Sequence, residues 1–443
     1  MKKFLLFNMI IITLIFSLFS ITSYAEANKY ENIKIGLHYG SSAKSSANLM
    51  CYSGFELGYE NENGDFKLIS ALAETQITIS VSTEGYLQVN NIFVNADFPN
   101  ICIRPGYGTL QLDGKDFRGS MIFIKDKSNL ITVINKVNLE EYLYSVLGRE
   151  MSPSWPIEAL KAQAICARTF SINNWNKYAS YGFNLDNTQN SQVYSGISSE
   201  GARTVQAVEE TRGQLVMYDG KPAQTFYFSS CGGKTANVKY VWGSEFPYLV
   251  SVDDPYENPK EASYSDWTVE YSADEIKALL TKRNINIGNV TNVEIVSEDN
   301  GTVYDIKIIG ESGEHRIKND NIRAFFNLKS QHFTLSAPQS ELIYPSVTII
   351  GGNGISTLSL NNLSVYNTSV VSALSVLSAK GVATIEASMP NTSDKFIFSG
   401  HGWGHRIGMC QWGAKGMADQ GFKANDILTH YFPGTSIGSS YLE

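Results

Sequence analysis

Basic residues are outnumbered in this chain, and that shortage limits its partners first. Lysine and arginine number 35 against 43 aspartates and glutamates, for a formal net charge of −8 at pH 7. Affinity for nucleic acid rests on cations that neutralise phosphates, so no nucleic-acid partner is expected. Cysteine is also scarce, with five in 443 residues. That excludes a disulfide framework, and the odd number leaves at least one cysteine unpaired within the chain. Cys51 with Cys102 and Cys231 with Cys410 remain open as pairs, whereas Cys166 sits in an apolar helical stretch and reads as a small core residue. The sequence has no H-E-x-x-H and no dinucleotide-type glycine loop opening a helix. A zincin helix and a nucleotide cradle therefore lack their signatures. No convincing internal repeat is found.

One apolar run stands out at the amino terminus. After "MKK" come the 16 residues "FLLFNMIIITLIFSLF" and then the small residues of "SITSYAEA". This pattern fits a secretory signal over 1–27, cleaved after Ala25 or Ala27. The expected location is extracellular or in the cell wall, with membrane attachment only if that segment is retained as an anchor. No other segment is long and apolar enough to span a ~30 Å hydrocarbon core.

With 43% hydrophobic and 12% aromatic residues, the remainder has ample material for a core. Residues 28–105 form a β-rich amino-terminal region of short alternating runs such as "IKIGLHYG" and "TQITISVS". The period then changes. Residues 139–148 read as a helix with Asn138 as N-cap, Glu141 in a capping-box position and Gly148 as its stop. Pro156 opens a second helix to about Tyr178, apolar around most of its circumference and so expected to be buried. Residues 203–228 and 290–310 read as strands, 272–283 as a short amphipathic helix, and the Ser/Thr/Asn-rich stretch 336–395 as a small β-type insertion. The fold class expected is α+β, with mixed strands packed around a buried central helix.

Three sets of residues invite a chemical reading. Lys161 and Arg168 share a stripe of the buried helix, and buried cations persist only if partnered; ion pairing and the holding of a polar ligand are both open. His401 and His405 are spaced i, i+4, but the surrounding Gly400, Gly402 and Gly404 make a helical metal pair unlike the pattern. Glu150 lies between two helices beside Leu147, Met151 and Trp155. Apolar surroundings disfavour the charged carboxylate and so keep a proton on it, as an acid catalyst of glycosidic cleavage requires.

Six blocks carry a family resemblance: "FRGSM" at 117–121, "VNLEEYLYSVLGREM" at 137–151, "EALKAQAICARTF" at 158–170, "YFSSCGGKTANVKYVWG" at 227–243, "IRAFFNLKSQHF" at 322–333 and "GHGWGHRIGMCQWGAKGMA" at 400–418. In this order they resemble the stage II sporulation protein D family, the SpoIID/LytB group of exported cell-wall proteins. The resemblance implies a catalytic domain over about 106–434, acting as a lytic transglycosylase on peptidoglycan glycan strands in sporulation, with Glu150 as catalytic acid and base. It also implies that Ser229, Ser230, Lys234, His401, His405 and Gln411 line the cleft. LytB-type relatives imply the alternative, a glycan-binding enhancer of a cell-wall amidase. Many members have histidine where Phe228 stands, and some use zinc near this segment. Phe228 and Lys234 are poor ligands and leave Cys231 alone, so no metal or other cofactor is expected.

Overall fold

The computed structural model describes residues 30–439 except 95–97, 99, 263–264, 339–345, 352–353, 360–373, 379–380 and 386–394, with backbone alone for the strands between 346 and 385. The expected signal segment, 1–27, lies outside the described residues. The chain divides into two compact units. One comprises residues up to 239 with 244–265 and 403 onward, and the other comprises 240–243 and 266–402.

The first unit is built on a seven-stranded sheet in the order Leu185–Asp186, Asn32–His38, Ile131–Asn138, Ser120–Lys125, Ile101–Pro105, Phe55–Glu60, Phe66–Leu72. Its pairings are antiparallel apart from that of Asn32–His38 with Leu185–Asp186. Ile131–Asn138 is paired on both sides and buried along most of its length, with Ile131, Val133, Ile134 and Val137 at or near zero exposure. The sheet runs across residue 105, because Ile101–Pro105 pairs with Ser120–Lys125. A second, six-stranded sheet draws Ser46–Met50 and Gln76–Val81 together with Leu110–Leu112 and Lys115–Phe117.

Five helices complete this unit: α1 (Leu139–Glu150), α2 (Ile157–Asn173), α3 (Ala202–Glu210), α4 (Gln411–Asp419) and α5 (Ala424–Tyr431). As the sequence requires, α2 is the buried centre, and it touches α1, α3, α4, α5 and the strand Gln214–Tyr218. Ala159, Ala162, Ala164 and Ala167 present almost no bulk, which lets helices approach it on several sides. It ends at Asn173, earlier than expected, where the Asn174 side chain turns back to donate to the Phe170 carbonyl at 2.9 Å.

Three local expectations need correction. Asn138 does cap α1, accepting from the Glu140 N–H at 3.0 Å, but Glu141 is drawn toward Arg118 and does not close a capping box. Gly148 does not stop the helix, which runs on to Glu150. The glycine is there for a close approach: a Cβ at this position would lie 1.7 Å from the Ser199 carbonyl oxygen. Gly148→Ala is therefore expected to destabilise by about 1–3 kcal/mol through overpacking, read as a lower denaturation midpoint at unchanged m-value. Residues 202–210, expected as strand, are helical. Thr204, Ala207 and Val208 bury one face at helical spacing, and the β-branched residues in that stretch obscured the period.

The second unit is an antiparallel sheet in the order Asp266–Tyr271, Phe396–His401, His332–Ser336, Thr302–Gly310, Val290–Asp299, with Gly313–Lys318 also on Thr302–Gly310. Helices Ala273–Thr281 and Asn321–Phe326 contribute Ile276, Leu280 and Phe326 to a core shared with Val303, Ile306 and Phe398. A full capping box between Ser272 and Glu275 starts the first of them. The 336–395 stretch contains two hairpins, Ser346–Gly351 with Gly354–Ser359 and Leu374–Ser378 with Gly381–Ile385. Among the described residues no helix is long and apolar enough to cross a membrane.

Candidate functional site

Glu150 is the last residue of α1 and lies inside its end, with the final helical bond running from the Met151 N–H to the Leu147 carbonyl. Tyr142, Leu143, Val146 and Leu147 are fully buried and fix the helix, so the direction of the terminal side chain is fixed as well. Burial pushes the Glu150 carboxyl above its ordinary range. Its place at a helix C-terminus, where an anion is disfavoured, acts in the same direction. Three donors oppose the shift: the Gln411 amide at 3.3 Å, the Val193 N–H and the Tyr227 hydroxyl.

Behind these donors stands a polar network in an otherwise apolar interior. Gln192 donates to the Tyr227 oxygen at 3.1 Å, which directs the tyrosine's own proton toward Glu150. The Gln192 carbonyl oxygen accepts from Tyr142 at 3.1 Å and from Ser171 at 2.9 Å. Burial holds the Tyr142 and Tyr227 phenols well above their ordinary range, so both remain neutral donors. Gln411 also reaches the Gln163 carbonyl oxygen at 3.5 Å, and Gln163 Nε2, fully buried on α2, has no protein partner. An unpaired buried amide costs about 1–3 kcal/mol, a cost usually tolerated where function needs it.

The two glycine-rich segments meet in the first unit. Tyr227–Phe228 pairs in parallel with Met409–Cys410, and Ser230 bridges to Trp403 by N–H···O bonds in both directions. This pairing explains two of the glycines. Gly408 has a positive φ and a Cβ would meet the Phe226 carbonyl oxygen at 2.4 Å, while at Gly404 it would meet the Phe228 Cβ at 2.9 Å. Trp412, beside Gln411, lies against Trp155 with ring centroids 4.7 Å apart.

The residues expected from sequence divide accordingly. Glu150 and Gln411 are brought together. His405 lies against the Phe226 and Phe228 rings, its Nδ1 accepting from the Ile407 N–H at 3.1 Å. Ser229 uses its carbonyl to receive the Trp412 N–H at 3.1 Å. Ser230 is fully buried and donates to Glu257, and Lys234 pairs with Asp253 at 2.9 Å. His401 belongs to the second unit, where its ring bonds Asp266 at 2.7 Å. Arg168 and Lys161, for which ion pairing and ligand holding were both open, are each ion-paired. Arg168 is fully buried, forks onto Glu140 and donates to the Gln214 and Val208 carbonyls. Lys161 bridges Glu158 at 3.3 Å and Glu210 at 2.6 Å. Tyr227, Gln192 and Gln163 escaped the sequence reading. The signal available for Gln163 was an amide on a helix with no polar face to receive it.

Residues 127–218 match the SpoIID family model, described as stage II sporulation protein, and that span holds Glu150, Gln163 and Gln192. The chain is 29% identical over 387 residues to an uncharacterized protein of Brachyspira hyodysenteriae, covering 87% of each. It is 29% identical over 389 residues to the amidase enhancer of Bacillus subtilis, covering 80% of this chain and about half, 49%, of that protein. It is 26% identical over 322 residues to stage II sporulation protein D of the same organism, covering 69% of this chain and 76% of the relative. The resemblance read from the six blocks is thus met both by a family model and by relatives under both of its names.

Proposed function

We propose that this chain is an exported peptidoglycan lytic transglycosylase with a role in the cell wall during sporulation, and that Glu150 is its acid and base. The observation that carries the reading is the double character of the Glu150 site. Burial favours a proton on the carboxyl, while three donors stand by to hold the anion once the proton has left. The groups acting most strongly on Glu150 include no second carboxylate, whereas hydrolysis of glycosides ordinarily uses two.

One carboxyl suffices for an intramolecular reaction. Glu150 gives its proton to the glycosidic oxygen as the C1–O bond breaks. The carboxylate, held by Gln411, Val193 and Tyr227, then takes the proton of the muramic acid C6 hydroxyl as O6 bonds to C1 and closes the 1,6-anhydro ring. Glu150 is protonated again, and no water has been consumed. The half-buried Trp412 is suited to a sugar ring.

The similarity to an amidase enhancer favours a second reading, in which the chain binds glycan and assists a separate wall amidase. Mass spectrometry of fragments released from purified glycan strands separates the two. Anhydro-ended sugars are expected. Reducing ends would indicate hydrolysis, and intact strands with measurable binding would overturn catalysis in favour of the enhancer.

A further inference from the structure

Part of the glycine-rich motif is used by nothing in the glycan chemistry and converges at a different place. Cys231, Asp254, Glu257 and Cys410 each turn one ligand-type atom into a single cluster, all four atoms lie within 4.8 Å of one another, and all four residues are buried. Cys231 Sγ is 3.1 Å from Asp254 Oδ2 and 2.9 Å from Glu257 Oε2, and Cys410 Sγ is 3.6 Å from Glu257 Oε2. With bonds of about 2.3 Å to sulfur and about 2.0 Å to oxygen, tetrahedral zinc has sulfur-to-oxygen edges of about 3.5 Å. The spacing is thus close to that of donors drawn around one ion. Thiol protons alone do not account for it, since Cys231 faces two carboxylate oxygens with one proton to give.

The groups behind the cluster point the same way. The Gly233 N–H approaches Cys231 Sγ at 3.3 Å and the Gly413 N–H approaches Cys410 Sγ at 3.4 Å, and amide donors aimed at sulfur suit metal-bound thiolates. Tyr431 donates to Asp254 Oδ2 at 2.7 Å, and the N–H groups of Cys231 and Gly232 both reach Glu257 Oε2 at 2.9 Å. Gly413 is needed for this closeness, because a Cβ there would lie 2.0 Å from Asp254 Oδ2. Arg406 is fully buried beside the cluster, within the field of Cys231, Cys410 and Glu257. It also holds a left-handed backbone at φ 64°, with Nε donating to the Cys231 carbonyl at 3.0 Å.

We propose that Cys231, Asp254, Glu257 and Cys410 form a structural zinc site. Two sulfurs with two oxygens suit zinc better than magnesium or calcium, which take oxygen throughout. Four protein donors leave no open position, which marks a structural site and not a catalytic one. The ion would clamp the 227–234 segment, the 254–257 turn and the start of α4, and so hold Gln411, the residue after Cys410, against Glu150. The sequence expectation of no metal rested on Cys231 standing alone, and folding supplies the three partners that were not visible.

The test is metal analysis of the full chain, purified from cells grown without added zinc and without chelators. One equivalent of zinc is expected, lost in Cys231→Ser and in Cys410→Ser but retained in Cys51→Ser. Because the serine variants at the cluster can fail to fold, the wild-type protein supplies a second measurement. Chelation should lower its melting temperature, Zn²⁺ but not Mg²⁺ should restore it, and Co²⁺ in place of zinc should give a sulfur-to-cobalt charge-transfer band. A zinc-free native protein with both thiols free, a Cys231–Cys410 disulfide in the peptide map, or zinc that persists in the Cys231→Ser/Cys410→Ser double variant would each overturn the proposal.

Discussion

Glu150→Gln is expected to fold, to bind glycan strands and to release almost no anhydro-ended product. The amide keeps the size of the carboxyl but cannot pass a proton to the glycosidic oxygen or take one from the C6 hydroxyl. General acid–base catalysis contributes typically ~10² to 10⁴ in rate, and both proton transfers here depend on the same group. Product release at the wild-type rate would return Glu150 to a structural role. The pH dependence has a definite sign. The acid must be protonated to start the reaction, so the wild-type rate should fall as pH rises through the elevated Glu150 value.

Stability provides a reading independent of activity. The folded protein holds the Glu150 proton more tightly than the unfolded chain, because burial raises this carboxyl. Its favourable contribution is fully present below the ordinary carboxyl value and is lost as pH rises through the folded value. Glutamine does not titrate. Glu150→Gln should therefore melt no lower than wild type near neutral pH, and any advantage should disappear in acid. Melting curves across this range check the sign, and a variant markedly less stable at neutral pH would count against a carboxyl buried at a cost for function.

Arg168→Met is expected to have the opposite signature, with stability lost first and activity only in consequence. The guanidinium has no exposure and forks onto Glu140, with its Nε 2.9 Å and one terminal nitrogen 2.6 Å from the carboxylate oxygens. It further ties α2 to the strand Gln214–Tyr218 and to α3 through the Gln214 and Val208 carbonyls. Removing one partner leaves the other charge buried without compensation, which costs about 3–5 kcal/mol. The double variant Arg168→Met/Glu140→Leu should recover much of this loss, because neither charge then remains to be solvated. A denaturation midpoint unmoved by Arg168→Met, together with weakened glycan binding, would restore the ligand-holding role.

The sequence by itself determined a good deal of this protein. The burial of α2 was legible because apolar residues all around a helix leave no face for water, and Cys166 followed from it as a core residue. Asn138 marked one helix start through a bond formed within two residues and Pro156 marked another through its fixed φ, and such signals are written in local order. Glu150 could be singled out as a charge that no surface explained, and its family blocks then gave it a role. What sequence reading misplaced was decided by distant neighbours. Gly148 read as a stop, but the contact that requires a glycine is with Ser199, and residues 202–210 became helix because a packed face outweighed β-branched propensity.

The chemistry of the site was a tertiary matter throughout. A carboxyl's affinity for its proton depends on the dielectric and the donors around it, and Gln411, Tyr227 and the Val193 N–H arrive from three separate parts of the chain. The same holds for Cys231, whose neighbours Asp254 and Glu257 lie along a loop without a ligand-like spacing and whose neighbour Cys410 is 179 positions away. Local order sets which residues can form a helix or a turn. Whether a thiol meets another thiol, or a glutamate keeps its proton, depends on distances of a few ångströms that exist only once the parallel pairing of Tyr227–Phe228 with Met409–Cys410 has closed.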